Sequence, residues 1–387
     1  MISVEEAQAR VLAMAGPVQI EEIALAQSAG RWLARPVAAK ADQPPFDASA
    51  MDGYAVNGAA DLGARFTVIG EAGAGHGFAG TLAPGQALRI FTGAPVPAGA
   101  TGVVIQENIA RDGDQITLTD AERGSNIRLR GADFPAGATL APRRLRPADL
   151  ALLAAMNLPR LPVARRPVLA ILMTGDELAM PGETPRPDQI IASNGFALKA
   201  MAEAEGAEVR LLPIARDSEA SLRQSFALAE GADIITTIGG ASVGDHDLVG
   251  KIARDLGMAP AFWKIAMRPG KPLMAGRLGH AAMLGLPGNP VSAIVTGHLF
   301  LLPLIRAMQG DPAPLPVQAM ARLTVDLPAN GPRSHYMRAR LTAEGITPFE
   351  KQDSSLLTIL TEANALLLRP LGDGPQPAGA LVPYLPL

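Results

Sequence analysis

The segment Thr236-Thr237-Ile238-Gly239-Gly240-Ala241-Ser242-Val243-Gly244-Asp245-His246-Asp247 gathers three glycines, a serine and two aspartates behind the apolar pair Ile234-Ile235. Glycines let backbone N–H groups close on an anion. The aspartates call for a metal ion or a donor-rich substrate beside them. The loop is expected just past the carboxyl end of a strand, where open α/β sheets hold their ligands. It suggests phosphate chemistry without naming a substrate.

Other segments carry similar residues, and each also has a plain structural reading. Met173-Thr174-Gly175-Asp176-Glu177-Leu178 stands at a second strand end. Its acids could bind a divalent cation or accept from a heterocycle, or it is an ordinary turn with Asp capping a helix. Ile191-Ala192-Ser193-Asn194-Gly195 opens a helix, where serine is a natural N-cap and the same N–H groups can hold phosphate. Trp263 to Pro272 places Lys264, Arg268 and Lys271 within eight residues, with Pro269-Gly270 fixing a tight turn. Converging cations make an oxyanion cage; the alternative is a solvated basic hairpin. Gly285-Leu286-Pro287-Gly288-Asn289-Pro290-Val291-Ser292-Ala293 is a rigid turn entering a helix, with Ser292 near its start. Pro45 to Val56, with Asp47 and Asp52, and Phe91-Thr92-Gly93 read individually as turns. The five histidines form no metal-ligand spacing, and neither a Walker loop nor a Gly-x-Ser-x-Gly elbow occurs.

These residues sit in a chain of 387 residues, 48% hydrophobic and 18% charged, which predicts a well-packed protein of several domains. A net charge of −3, 4% aromatics and the lack of a basic block argue against nucleic-acid binding. Cysteine is absent, so disulfides, thiolate ligands and a cysteine nucleophile are excluded. The start lacks a signal-peptide pattern and no apolar run reaches about 18 residues, so a cytoplasmic protein without a membrane span is expected.

The elements that must position the motifs follow from periodicity. Residues 4–15 read as an amphipathic helix stopped by Gly16-Pro17, and residues 23–38 as a second helix. From Lys40 to Ala138 short β-rich runs alternate with glycine and proline turns, and residues 147–157 return to helix. From Pro167 strand and helix alternate: strands over 168–173, 209–214 and 234–238, helices over 193–205, 217–230 (with Asp217 as cap) and 290–308. Alternation of this kind predicts a mainly parallel sheet covered by helices. After Pro314 short strands resume. The expected fold class is thus α/β multidomain, with a helical linker domain (1–39 and 139–164), an inserted small β domain (40–138), an α/β domain (165–310) and a C-terminal β domain (311–387).

Taken in order, Phe46–Val56, Gly70–Gly75, Phe91–Pro97, Thr174–Leu178, Ser193–Gly195, Gly239–Asp247, Pro269–Pro272 and Leu286–Ala293 resemble one family, the bacterial molybdopterin molybdenumtransferases or MoeA proteins, related to the gephyrin E domain. The resemblance implies a MogA-like α/β domain and a molybdenum insertase. Such an enzyme takes adenylylated molybdopterin and molybdate, inserts the metal at the dithiolene and releases AMP, with Mg²⁺ or another divalent cation. It also implies residue roles. Gly239, Gly240, Ser242 and Gly244 would cradle the pyrophosphate. Thr174, Gly175, Asp176, Ser193, Asn194 and Lys264 would line the substrate pocket, joined by Thr92. Arg268, Lys271, Pro272, Ser292, Arg338 and Ser354 would form the molybdate site. Asp247, Asp52, Glu177 and Lys271 would be catalytic, with Asp247 and Glu177 the ligands of the divalent cation. The family further implies a homodimer, in which Asp52 and Thr92 reach the other subunit's pocket, and a molybdopterin adenylyltransferase as pathway partner. The sequence departs from the commoner Lys-Pro-Gly-Lys pattern at Arg268, which keeps the charge.

Two rival functions remain at this level. A molybdopterin adenylyltransferase shares the α/β domain but lacks the flanking ones. A non-catalytic pterin-binding scaffold would be expected to lose the cations that this chain retains as Arg268 and Lys271.

Overall fold

The computed structural model describes residues 1–240 and 248–387. Ser242, Gly244 and Asp247, assigned above to the phosphate loop, lie outside the described residues. The chain divides into two compact units, one of Met1–Glu21 with Ala164–Leu387 and one of Glu22–Val163.

The larger unit is built on strands β1 (Val168–Met173), β2 (Glu208–Leu211), β3 (Ile234–Ile238), β4 (Ala259–Phe262), β5 (Met267–Arg268), β6 (Met274–Leu278) and β7 (Ala281–Leu286). All but β5 form one sheet in the order β2-β1-β3-β7-β6-β4. It is parallel from β2 through β7 and antiparallel at β6 and β4. Every residue of β1 is buried, the unbroken apolar run of a strand covered on both faces. Period-two alternation sorts the side chains. Leu169, Ile171 and Met173 join Ile234, Ile238 and Leu284 in one core, whereas Val168, Ala170 and Leu172 join Ile235 and Met283 in the other. Helices α1 (Val4–Leu12), α2 (Asn194–Ala204), α5 (Pro290–Thr296) and α6 (Leu302–Met308) fill the first core; α3 (Glu219–Leu228) and α4 (Leu248–Asp255) fill the second.

Several sequence expectations are refined here. α5 and α6 join through a wide turn, Gly297–Leu301, into a helix over Pro290–Met308. Among the described residues this is the one stretch long and apolar enough to cross a membrane, but 72% of its apolar window is buried inside the protein, as a core helix requires. The cap of α3 is Ser218, whose Oγ accepts from the Ser221 N–H at 3.3 Å, not Asp217. Ser193 precedes α2 without capping it; its hydroxyl is bonded to Asn194 Oδ1 at 3.2 Å.

The C-terminal part adds β8 (Ala319–Arg322), β9 (Ser334–Thr342), β10 (Gly345–Pro348), the short helix α7 (Leu357–Glu362), β11 (Ala365–Arg369) and β12 (Leu381–Pro386). Its sheet runs β5-β9-β11-β12-β8, with β10 beside β9. The first strand, β5, is therefore lent by the preceding α/β part. Met267 and Arg268 pair in parallel with Ser334 and His335, and Ser334 N–H donates to Ala266 O at 2.9 Å. On the N-terminal side, Ile2 donates to Lys264 O at 3.3 Å and accepts from Ala266 N–H at 2.9 Å.

The smaller unit carries a six-stranded sheet in the order Gly102–Ile105, Gly53–Val56, Gln86–Ile90, Arg65–Ala72, Gln115–Leu118, Ile109–Asp112. Its helix Pro147–Ala155 starts where Asp149 accepts from the Arg146 N–H at 2.9 Å. The helix expected over 23–38 does not form. Gly30 takes φ 72°, and Leu33 bridges to Val163, which buries it beside Leu153 and Leu161. Tertiary pairing overrides a weak helical pattern there.

Two outcomes follow from this packing. A Cβ at Gly53 would stand 1.9 Å from Val104 O in the neighbouring strand. Gly53→Ala is expected to destabilise the protein by roughly 1–3 kcal/mol, read as a lower urea midpoint. His335 is 9% exposed between Arg268 and Arg369 of the adjoining strands. Burial first, then Arg268, Arg333, Arg338 and Arg369, bring its pKa down from 6.5 to about 4. Between those values the unfolded chain binds the extra proton, so stability is full above the unfolded pKa and falls as pH drops toward the folded one, by roughly 3 kcal/mol at most. Urea midpoints at neutral and mildly acid pH should therefore converge in His335→Gln.

Candidate active site

Register decides where the site forms. Met173, Ile238 and Leu286, the last residues of β1, β3 and β7, are direct neighbours in the sheet. The chain passes from β1 to β2 on one side and returns to β3 on the other, so strand order reverses between β1 and β3. Open sheets bind ligands at such a switch point. Over these ends lies a cavity of about 830 Å³.

Its floor is made by backbone. Thr174 donates to Ile238 O from its N–H at 3.0 Å and from its hydroxyl at 3.2 Å, and Gly239 N–H donates to Leu286 O at 3.1 Å. Gly239 and Gly240 take φ of 89° and 63°. A Cβ would stand 2.8 Å from Thr174 O at the first and 2.3 Å from Val249 Cγ2 at the second, so only glycine fits this descent. On one side Asn194 Nδ2 donates to Gly288 O at 2.7 Å, joining the start of α2 to the turn before α5.

Charge in the cavity is unbalanced. Lys264 and Lys271 line it, and neither has an acidic ion-pair partner among the described residues. Glu177 is the one carboxylate in the lining among the described residues. Met173, Leu178, Ile190 and Ile191 add an apolar share to the lining. Two ammonium groups and an apolar group of side chains in one cavity suit a ligand with a flat, weakly polar body and an anionic end.

The structure brings together Thr174, Glu177, Ser193, Asn194, Gly239, Gly240, Lys264, Lys271 and Pro272 of the residues expected from sequence. Others stand apart from the lining. Gly175 is not in it, and a Cβ there would meet Glu177 Oε2 at 2.3 Å. Asp176 turns toward the next loop, where its Oδ1 accepts from the Asp217 N–H at 3.2 Å. Arg268 is exposed on β5, and Ser292 is buried in the first turn of α5. Arg338 is 1% exposed and donates to Leu356 O at 3.1 Å and Lys351 O at 3.2 Å, bracing the segment 351–356. Ser354, in that segment, is absent from the lining but adjoins it, between the lining residue Ser355 in sequence and the lining residue Asn289, whose Nδ2 donates to its Oγ at 3.0 Å.

Asn289, Ser355 and the paired isoleucines Ile190-Ile191 were not singled out from sequence. Asn289 lies inside a quoted motif and Ser355 adjoins Ser354, but nothing in either position separates a lining residue from its neighbour. In the smaller unit Asp52 accepts from the Thr92 N–H at 2.7 Å. That N–H first, then the Thr92 hydroxyl and Arg89, holds the Asp52 carboxyl below its usual range. No cluster of three or more metal-ligating side chains occurs among the described residues.

Known proteins share this organisation. Residues 2–157 match the MoeA N-terminal region (domain I and II), residues 170–307 a probable molybdopterin binding domain, and residues 320–387 the MoeA C-terminal region (domain IV). The molybdopterin molybdenumtransferase of Nostoc sp. is 39% identical over 363 residues, covering 89% of this chain and 83% of that protein. The Bacillus subtilis molybdopterin molybdenumtransferase is 35% identical over 405 residues, covering 99% and 94%. The crystal structure of a molybdopterin biosynthesis MoeA protein from Pyrococcus horikoshii superposes with a TM-score of 0.86 at 28% identity, covering 100% of this chain and 99% of that one. The chain belongs to the MoeA family of molybdopterin molybdenumtransferases.

Proposed function

We propose that this protein inserts molybdenum from molybdate into adenylylated molybdopterin and releases AMP. The observation that carries the reading is the pair of lysines, Lys264 and Lys271, which share a partly apolar cavity at the switch point of the sheet with Glu177 as the one carboxylate in the described lining. The pterin would rest against Ile190 and Ile191, and its pyrophosphate on the Gly239-Gly240 descent. Ser242 and Gly244 would continue that cradle. Lys271, with Pro272 behind it, would present molybdate, aided by Arg268, Ser292, Arg338 and Ser354. Catalysis would rest on positioning and on stabilising the leaving phosphate and the incoming oxyanion.

Magnesium binds through one or two carboxylates plus substrate phosphates. Glu177, with Asp247, fits that demand, and the ion would neutralise charge on the phosphoanhydride. We assign the domains as 1–39 with 139–164, 40–138, 165–310 and 311–387. The protein would act in the cytoplasm, on substrate supplied by a molybdopterin adenylyltransferase, and as a homodimer in which Asp52 and Thr92 complete the partner copy's pocket.

Adenylylated molybdopterin and molybdate should yield AMP and a metallated product. In Lys271→Ala, kcat/KM for molybdate should fall about 10²-fold, the scale of losing one electrostatic donor, with an unchanged melting temperature. Adenylylation from ATP without molybdate-dependent turnover would overturn the assignment. Mixing inactive Asp52→Ala with inactive Lys271→Ala should restore about a quarter of wild-type activity, because half of randomly formed dimers then carry one intact shared site. No recovery on mixing rules out sharing.

A further inference from the structure

We propose that Asn289 is a positioning residue that sets the direction of the Ser354 hydroxyl proton, and through it the strength of the molybdate end of the pocket. The inference rests on the proposed reading of that pocket.

Asn289 occupies the N-cap position of α5, where asparagine is a preferred cap because its side-chain oxygen accepts from the first turn. Here the side chain makes no such bond. Its Nδ2 donates instead to Ser354 Oγ at 3.0 Å, across 65 residues of sequence. The neighbouring Val291 N–H donates to Ser354 O at 3.0 Å. Ser354 is thus gripped from the α/β part by a main-chain bond that fixes its backbone and by a side-chain bond that fixes its hydroxyl. The rest of its segment is fastened from the C-terminal sheet. Arg338 holds the carbonyls of Lys351 and Leu356, and Gln352 holds both the N–H and the carbonyl of Arg338. Ser355 N–H and Oγ are both bonded to Asp353 Oδ1, so that hydroxyl proton is already engaged.

A serine hydroxyl has one proton to give and two lone pairs with which to accept. An amide donor fills a lone pair and leaves the proton free. Ser354 can then donate to an oxyanion, as its neighbour Ser355 cannot. A carboxylate at position 289 would reverse the polarity. The hydroxyl would donate to it and turn its lone pairs toward the anion, and a negative charge would be added beside a site for another.

Packing and polarity make opposite predictions for two variants. Asp is nearly isosteric with Asn, so a packing role would make Asn289→Asp milder than Asn289→Ala. The polarity role makes Asn289→Asp the worse of the two. From molybdate-dependent AMP release we expect KM for molybdate to rise about fivefold in Asn289→Ala, the scale of one hydrogen bond, and at least tenfold further in Asn289→Asp. In Asn289→Ala the melting temperature should stay at the wild-type value, and the rise in KM for molybdate should exceed any loss of affinity for adenylylated molybdopterin. In a Ser354→Ala background, Asn289→Ala should add less than twofold, since the group it acts on is gone. Asn289→Asp no worse than Asn289→Ala, or a full additive effect in the Ser354→Ala background, overturns the inference while the wild type remains active. A wild type that releases no AMP with molybdate overturns the reading of the pocket itself.

Discussion

The pocket depends on one register. Parallel pairing sets Met173, Ile238 and Leu286 side by side, so three loops leave the sheet at the same level. A one-residue slip in any of these strands would exchange its two faces and move its loop. The slip is opposed by close packing in both cores, which Leu169, Ile171 and Met173 fill on one face and Val168, Ala170 and Leu172 on the other. The chemistry of the loops is therefore placed by core side chains, most of which lie outside the cavity lining.

A second constraint acts on the cations. The segment 264–268 is short and lies between Ile2 on one side and Ser334 on the other, hydrogen-bonded to both. Lys264 and Lys271 flank this fixed stretch, and Gly270, at φ 105°, leaves no room for a Cβ beside Thr296. Two like charges facing one cavity repel each other. Fastening the main chain on both sides holds them in place without an acidic partner among the described residues, which keeps their charge available to a ligand.

Much of this was legible in the sequence. The buried strand over 168–173 follows from an unbroken apolar run and that over 234–238 from the apolar pair Ile234-Ile235 before the glycine loop, and both have those bounds in the structure. The glycines at 239 and 240 announce a backbone that must turn where a Cβ cannot go. What the sequence could not show is the choice among partners. Asp217 and Ser218 are both good caps, and only the approach of Asp176 decides that serine caps α3. Asn289 has the right type and position to cap α5, yet it bonds to a residue far along the chain. Arg338 is a cation in sequence and a buried brace for a loop in space. The helix expected over 23–38 failed for the same reason, since its periodicity was local and Leu33's partner was not.

The weaving of 264–268 also bears on biosynthesis. A ribosome delivers this chain from its first residue to its last. The α/β sheet ends with β7 at Leu286, but the strand that flanks the cations is not paired until Ser334 has emerged. The segment 351–356, which meets the turn before α5, comes later still. The nascent chain thus holds every strand of the α/β sheet before Ser334 and His335, the residues that pair with Met267 and Arg268, have emerged.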